Sequence, residues 1–246
     1  RDYCPKISIS GGNKKIIKYQ YNAYGEKYSY HNDNNFKNIF NSNYGYIDLG
    51  NIVLEGGNLE FSPDGVLLTN INSIVRNNIK YQTSHINQKI FQIKEMINIP
   101  EVHLIDVPAL RGDDTNGHID NLVRFINRNT IIYFASKKKT HCNYGVACEL
   151  EKQLEKIVNK SKIIENMIPM YHDESDVFIK NNKIYPYSKL NFIAAKNAFI
   201  FPTLKSNEDI LKLEIAKLPI DVKTYIVNTE TSLLESGGLH CLTANI

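Results

Sequence analysis

The apolar positions of this chain change period several times along its length. Lys6–Ser10 and 14–21 read as two strands, parted by the turn residues Gly11-Gly12-Asn13. A polar, tyrosine-rich loop follows over 22–30, then a short helix over 35–40 and a strand over 46–54. Residues 59–61 and 66–69 flank Pro63-Asp64-Gly65, which predicts a hairpin. Ile86, Ile90, Ile93 and Ile97 then share one helical face, and 102–107 reads as the next strand.

The order then returns. Residues 119–126 and 130–135 read as strands joined by Asn127-Arg128-Asn129. Val146, Leu150, Leu154, Ile157 and Val158 mark an amphipathic helix, with 161–168 as the strand after it. Residues 173–175 read as loop and 177–184 as a hairpin; 190–194 and 198–203 make another strand pair. Ser206 with Asp209 resembles a helix start, the helix runs to about Leu218, and 222–228 closes the unit.

Strand, strand, helix, strand therefore recurs, with pairs starting near residues 7, 59, 121 and 190. A long period of this kind indicates stacked or radial repeats, although two open α/β sheets also fit the periodicity. The alternation Leu239-His240-Cys241-Leu242-Thr243 predicts one more strand, left over after four units. A radial array must close to hide its edges, so this strand is expected to need partners from a segment outside the chain.

Composition narrows the function classes. Of 246 residues 42% are hydrophobic and 22% charged, ordinary for a globular domain. The net charge of +3 carries no long block of either sign, which gives no electrostatic case for nucleic acid or an anionic membrane. Lys137-Lys138-Lys139 is the one basic run and reads as a solvated loop. No apolar stretch is long enough to span a bilayer. Four cysteines do not make a disulfide framework, so a reducing, cytoplasmic setting is expected. His141-Cys142 with Cys148 lacks a second pair at zinc spacing, so no metal is expected. The chain does not begin with methionine, so nothing follows about a leader.

Three stretches carry polar residues that packing alone does not require. Gly237-Gly238 precedes Cys241, and such a pair lets the backbone turn sharply and a ligand approach closely. A thiol there is a candidate nucleophile, against the plain reading of a small buried apolar residue. Leu54-Glu55-Gly56-Gly57-Asn58 puts a carboxylate and an amide around a second Gly pair. If a strand begins at Gly117, His118 and Asp120 lie on one face, an arrangement that can hold a general acid/base. The plain reading there is a capped surface loop.

Taken together these stretches resemble the agmatine deiminases and the bacterial-type peptidylarginine deiminases, among the guanidino-group-modifying enzymes. Arg1-Asp2-Tyr3-Cys4-Pro5 is similar to Arg-Asp-x-Gly-Pro, and Tyr21-Asn22-Ala23-Tyr24-Gly25 to Phe-Asn-Ala-Trp-Gly. Leu54–Asn58 matches Leu-Glu-Gly-Gly, and Asp114 through Asn121 matches Asp-Thr-Asp-Gly-His-x-Asp-Asn. Ser188-Lys189-Leu190-Asn191-Phe192 matches Ser-x-x-Asn-Phe, and Gly238 through Thr243 matches Gly-x-x-His-Cys-x-Thr.

The resemblance runs almost the full length. It implies a single domain over 1–246, a five-bladed α/β propeller (pentein) of ββαβ repeats, missing part of its N-terminal blade. It implies Cys241 as nucleophile, His118 as general acid/base, and Asp2 and Asp120 as the carboxylates gripping the guanidinium. Glu55, Asn191 and Tyr24 are implied near the substrate, with no cofactor and no metal. The implied reaction is agmatine plus water to N-carbamoylputrescine and ammonia. The partner is then a small guanidinium molecule, with no nucleic acid or membrane, and a homo-oligomer is left open. Alternatives are arginine or peptidyl-arginine as substrate, which would need a cationic group such as Arg76, Arg111 or Arg124 for the carboxylate. Amidino transfer to an amine and a non-catalytic binding propeller are the others. Three departures stand out: Cys4 for Gly, implying a different backbone beside Asp2; Tyr24 for Trp; and Asn116 for Asp.

Overall fold

The structure is a computed structural model and describes residues 2–10, 13–39, 45–78 and 83–244. Its repeating unit is two antiparallel strands, a helical crossover and a third strand parallel to the second. The first unit holds β1 (Lys6–Ser10), β2 (Asn13–Gln20), two short helices α1 (Ala23–Glu26) and α2 (His31–Asn35), and β3 (Gly45–Val53). The second holds β4 (Glu60–Phe61), β5 (Val66–Asn70), α3 (Ile71–Asn77), α4 (Thr83–Ile97) and β6 (Glu101–Ile105). The third holds β7 (Val123–Phe125), β8 (Thr130–Ala135), α5 (Tyr144–Lys160) and β9 (Asn166–Tyr171). After the hairpin β10 (Phe178–Lys180) and β11 (Lys183–Tyr185), the fourth holds β12 (Ile193–Ala195), β13 (Ala198–Thr203), α6 (Glu208–Ile215) and β14 (Lys223–Asn228). A short helix α7 (Glu230–Leu233) and a 3₁₀ turn over His240–Leu242 end the described chain.

The middle strands explain why these segments read as apolar runs. Every residue of β5 and of β8 is buried, as a strand covered on both faces must be. Helix faces follow the predicted spacing: Ile86, Ile90, Ile93 and Ile97 of α4 are buried, as are Ala147, Leu150, Leu154 and Ile157 of α5. Each of these helices covers two units. α4 packs on β6 and on β3 of the preceding unit, and α5 on β9 and on β6. β14 has no such cover among the described residues, and Tyr225 and Val227 stand 52% and 43% exposed. Among the described residues four units are in place, where the resemblance implies five.

Several sequence expectations are corrected. Residues 117–121 do not start a strand: Gly117 has φ +98° and Ile119–Asn121 forms a 3₁₀ turn, with β7 beginning at Val123. The third strand of that unit lies at Asn166–Tyr171, not 161–168, because Ser161 takes the helix-ending position of α5 and Ser161 Oγ accepts from the Ile163 and Ile164 N–H groups. Around Cys241 there is a 3₁₀ turn and no leftover strand. Its backbone donors go to Asn191 and to its own turn, which leaves no ladder to pair. Gly11 and Gly12, read as the first turn, lie outside the described residues, as do Phe40 and Arg1.

Candidate active site

The candidate residues come from the segments that link one unit to the next. Asp2 precedes the first unit, Glu55 joins the first to the second, and His118 and Asp120 join the second to the third. Asn191 leads into β12, and Cys241 follows the fourth unit. Hydrogen bonds then run from linker to linker, so the repeat itself gathers residues that are far apart in sequence.

His118 is fully buried. Its Nε2 lies 2.7 Å from Glu55 Oε2, and its Nδ1 is 3.8 Å from Asp2 Oδ1. Nδ1 makes no hydrogen bond among the described residues. Burial draws the imidazole pKa down, but the charge of Asp2, the hydrogen bond and charge of Glu55 and the charge of Asp120 together push it up to about 9. His118 is therefore an imidazolium at neutral pH. Burial pushes the Glu55 carboxyl up, and the hydrogen bond and charge of His118 offset part of that. Glu55 Oε2 also accepts from Asn77 Nδ2 at 2.7 Å, and Oε1 from the Tyr24 N–H at 3.0 Å.

The backbone around His118 is built for this placement. Gly117 needs its left-handed φ, and an added Cβ there would stand 2.9 Å from Asn70 Nδ2. That same amide nitrogen donates to Gly117 O at 2.8 Å and to Val107 O at 2.9 Å. Asn58 Oδ1 receives the Ile119 N–H at 3.2 Å, which ties the Glu55 linker to the His118 linker.

Asp2 is 5% exposed. Gly57 N–H donates to its Oδ1 and the Tyr24 hydroxyl to its Oδ2, both at 2.8 Å. Cys4 keeps no left-handed φ, so the change from Gly needs no special backbone. The Tyr19 hydroxyl donates to Cys4 O at 2.6 Å and holds the loop from inside. In place of the family's Trp, the Tyr24 ring meets Tyr21, Tyr28 and His118 at 6.0, 6.3 and 5.8 Å between centroids.

The expected His118–Asp120 partnership is overturned. In the 3₁₀ turn the two side chains diverge: His118 goes to Glu55, while Asp120 Oδ2 pairs with His240 Nδ1 at 2.8 Å. His240, adjacent to the thiol, was visible only as a motif letter. Asn77, which buttresses Glu55, carried no sequence signal because it lies inside α3 and outside every motif.

Cys241 is half-buried in its 3₁₀ turn. The Asn191 side chain holds that turn: Oδ1 accepts the N–H groups of His240 at 2.8 Å and Cys241 at 3.3 Å, and Nδ2 lies 3.5 Å from Cys241 Sγ. Asn191 Nδ2 also reaches Asn121 Oδ1 at 3.1 Å. Gly238 of the pair leaves room for this amide. A Cβ on Gly238 would fall 2.3 Å from Asn191 Oδ1, while the left-handed residue is Ser236.

The sequence profile of the Porphyromonas-type peptidyl-arginine deiminases matches residues 1–246, the whole chain. The chain belongs to this family. A Yersinia pseudotuberculosis protein named "Putative agmatine deiminase" is 24% identical over 279 residues, spanning 100% of this chain and 73% of the relative. A solved Porphyromonas gingivalis structure, named "Putative Arginine Deiminase", superposes with TM-score 0.85 at 25% identity, over 99% of this chain and 73% of the other. The agmatine deiminase of C. jejuni, solved with substrate bound, gives 0.82 at 24% identity, over 98% and 71%. The fold of this deiminase family is thus the fold seen here, an α/β propeller of ββαβ units. No helix among the described residues is long and apolar enough to cross a membrane.

Proposed function

We propose that this deiminase hydrolyses the guanidinium of agmatine to N-carbamoylputrescine and ammonia, through a covalent adduct on Cys241. The observation that carries this reading is the buried His118 ring, bound to Glu55 at 2.7 Å, with its Nδ1 turned toward Asp2. A guanidinium is planar and permanently charged, and carboxylates match its fork of N–H donors. Asp2 and Asp120 grip it. Three buried carboxyl groups, Asp2, Glu55 and Asp120, gather beside His118 and His240, an acidic lining that suits a cationic substrate such as agmatine.

Cys241 attacks as the thiolate, its proton having passed to solvent; Sγ forms a bond to the guanidinium carbon as a C–N π bond opens, and the neutral tetrahedral adduct then loses one nitrogen. His118 gives its proton to that nitrogen, which leaves as ammonia. Water then adds to the amidino-thioether carbon, with the neutral His118 taking its proton, and the C–S bond breaks to release the ureido product. No cofactor enters this scheme.

The arginines support agmatine over free arginine. Arg124 is buried and committed to Glu60, Leu190 O and Phe192 O. Arg76 donates to Asn72 on the exposed side of α3, and Arg111 is exposed. The test is ammonia release from agmatine, arginine and a blocked arginyl peptide side by side. Agmatine is expected to be turned over fastest, and preference for either arginine substrate overturns the assignment. We propose also that the 246 residues act as one propeller domain and that a fifth ββαβ unit covers β14. Supplying such a unit, in the same or a second chain, is expected to raise Tm; an unchanged Tm contradicts it.

A further inference from the structure

Tyr24 occupies a strained turn. Its φ is +61°, between Ala23 at +49° and Gly25 at +83°, a backbone region that side-chain-bearing residues adopt only when their surroundings hold them there. Here the surroundings are the site itself. The Tyr24 N–H donates to Glu55 Oε1 at 3.0 Å, and the Tyr24 hydroxyl donates to Asp2 Oδ2 at 2.8 Å. Asn22, one residue before the turn, braces it from below: its Oδ1 accepts the Gly25 N–H at 3.0 Å, and its Nδ2 donates to Asn77 O at 2.8 Å. Asn77 in turn donates to Glu55 Oε2 at 2.7 Å.

We propose that Tyr24 is a positioning residue that sets two parts of the site from one turn: the substrate-gripping carboxylate of Asp2 and the Glu55–His118 proton-transfer pair. The inference rests on the deiminase reading given above. Fixed donors on both oxygens of a carboxylate set the orientation of its plane. The Gly57 N–H and the Tyr24 hydroxyl are two such donors to Asp2, one on each oxygen. Burial and the charge of Asp2 hold the Tyr24 phenol well above its ordinary range, so it stays a donor at any working pH. A planar guanidinium is recognised by orientation as much as by charge, and a carboxylate free to rotate loses that match. The hydroxyl belongs to this chain's Tyr; the Trp of the family motif has an N–H donor on a larger ring.

Tyr24→Phe tests this, because it deletes the hydroxyl and keeps both the ring and the main-chain donor. Two readouts are taken: steady-state ammonia release from agmatine, and protection of Cys241 by agmatine against slow alkylation. KM is expected to rise about tenfold, the scale of one hydrogen bond to a charged group, with a much smaller change in kcat. The protection midpoint should move by the same factor, and the alkylation rate without agmatine should not. Tyr24→Trp, which restores a ring N–H, should recover part of the loss. An unchanged or lowered KM in Tyr24→Phe, with an active parent, overturns the positioning role alone. A parent inert toward agmatine, arginine and arginyl peptide overturns the deiminase reading and this inference with it.

Discussion

Asp120 Oδ2 lies 2.8 Å from His240 Nδ1, so the carboxylate next to the proposed acid/base is bound to the histidine next to the proposed nucleophile. Both side chains are buried. The pair ties the linker before β7 to the turn that carries Cys241; the guanidinium grip proposed for Asp120 would therefore be coupled to the steadiness of that turn.

Asp120→Asn should therefore raise KM for agmatine strongly. Removing a carboxylate partner from the buried guanidinium costs about 3–5 kcal/mol in capture, and the weakened hydrogen bond to His240 Nδ1 should also lower thermal stability. His240→Gln, which keeps a hydrogen-bonding side chain, should show a smaller loss in both. Kinetics and melting curves of the two variants, measured together, check this. Near-parental KM in Asp120→Asn contradicts the grip assigned to Asp120.

The His118 imidazolium makes a signed prediction about pH. Its pKa is raised from an ordinary 6.5 to about 9, so the folded state holds the proton more tightly than the unfolded state does. The stabilisation it supplies is fully present below about 6.5 and is lost as pH rises through about 9. The stability difference between the parent and His118→Gln should shrink over that window. Activity should also fall on the alkaline side as the acid that protonates the leaving nitrogen is lost. A stability difference that grows with pH contradicts the assignment.

Gly238→Ala probes the floor of the nucleophile turn. Its Cβ would meet Asn191 Oδ1 at 2.3 Å, and the Asn191 amide cannot retreat without releasing the His240 and Cys241 N–H groups. The variant should lose most turnover and about 1–3 kcal/mol of stability, the scale of overpacking. Gly237→Ala, whose Cβ meets only ordinary contacts at 3.6 Å or beyond, should be much milder. Equal effects of the two substitutions contradict this account of the turn.

Much of the fold is legible in the sequence because helix faces and hairpins obey local rules. The four isoleucines of α4 and the Pro63-Asp64-Gly65 turn needed no tertiary information. The segment around His118 did. Alternation there predicts a strand, but Gly117 and the Asn70 amide impose a 3₁₀ turn that swaps partners, giving Glu55 to His118 and His240 to Asp120. Asn77 was beyond reach for a related reason. Its role depends on where α3 lies relative to the Glu55 linker, and spacing along one helix cannot report that.

Thiol reactivity gives an independent check on Cys241. Burial pushes the Cys4 and Cys142 thiols up, which slows both toward alkylating reagents. Limited alkylation at neutral pH with peptide mapping should label Cys241 ahead of these two, with activity lost in proportion. Uniform labelling contradicts a tuned nucleophile.

The most direct test is to trap the covalent intermediate. Agmatine is mixed with the enzyme, the reaction is quenched in acid within a turnover, and the Cys241 peptide is weighed. The account predicts a mass increase equal to agmatine less ammonia, on Cys241 alone, absent in Cys241→Ala and strongly reduced in His118→Gln. Ammonia release with an unmodified Cys241 peptide, or undiminished turnover by Cys241→Ala, would contradict it.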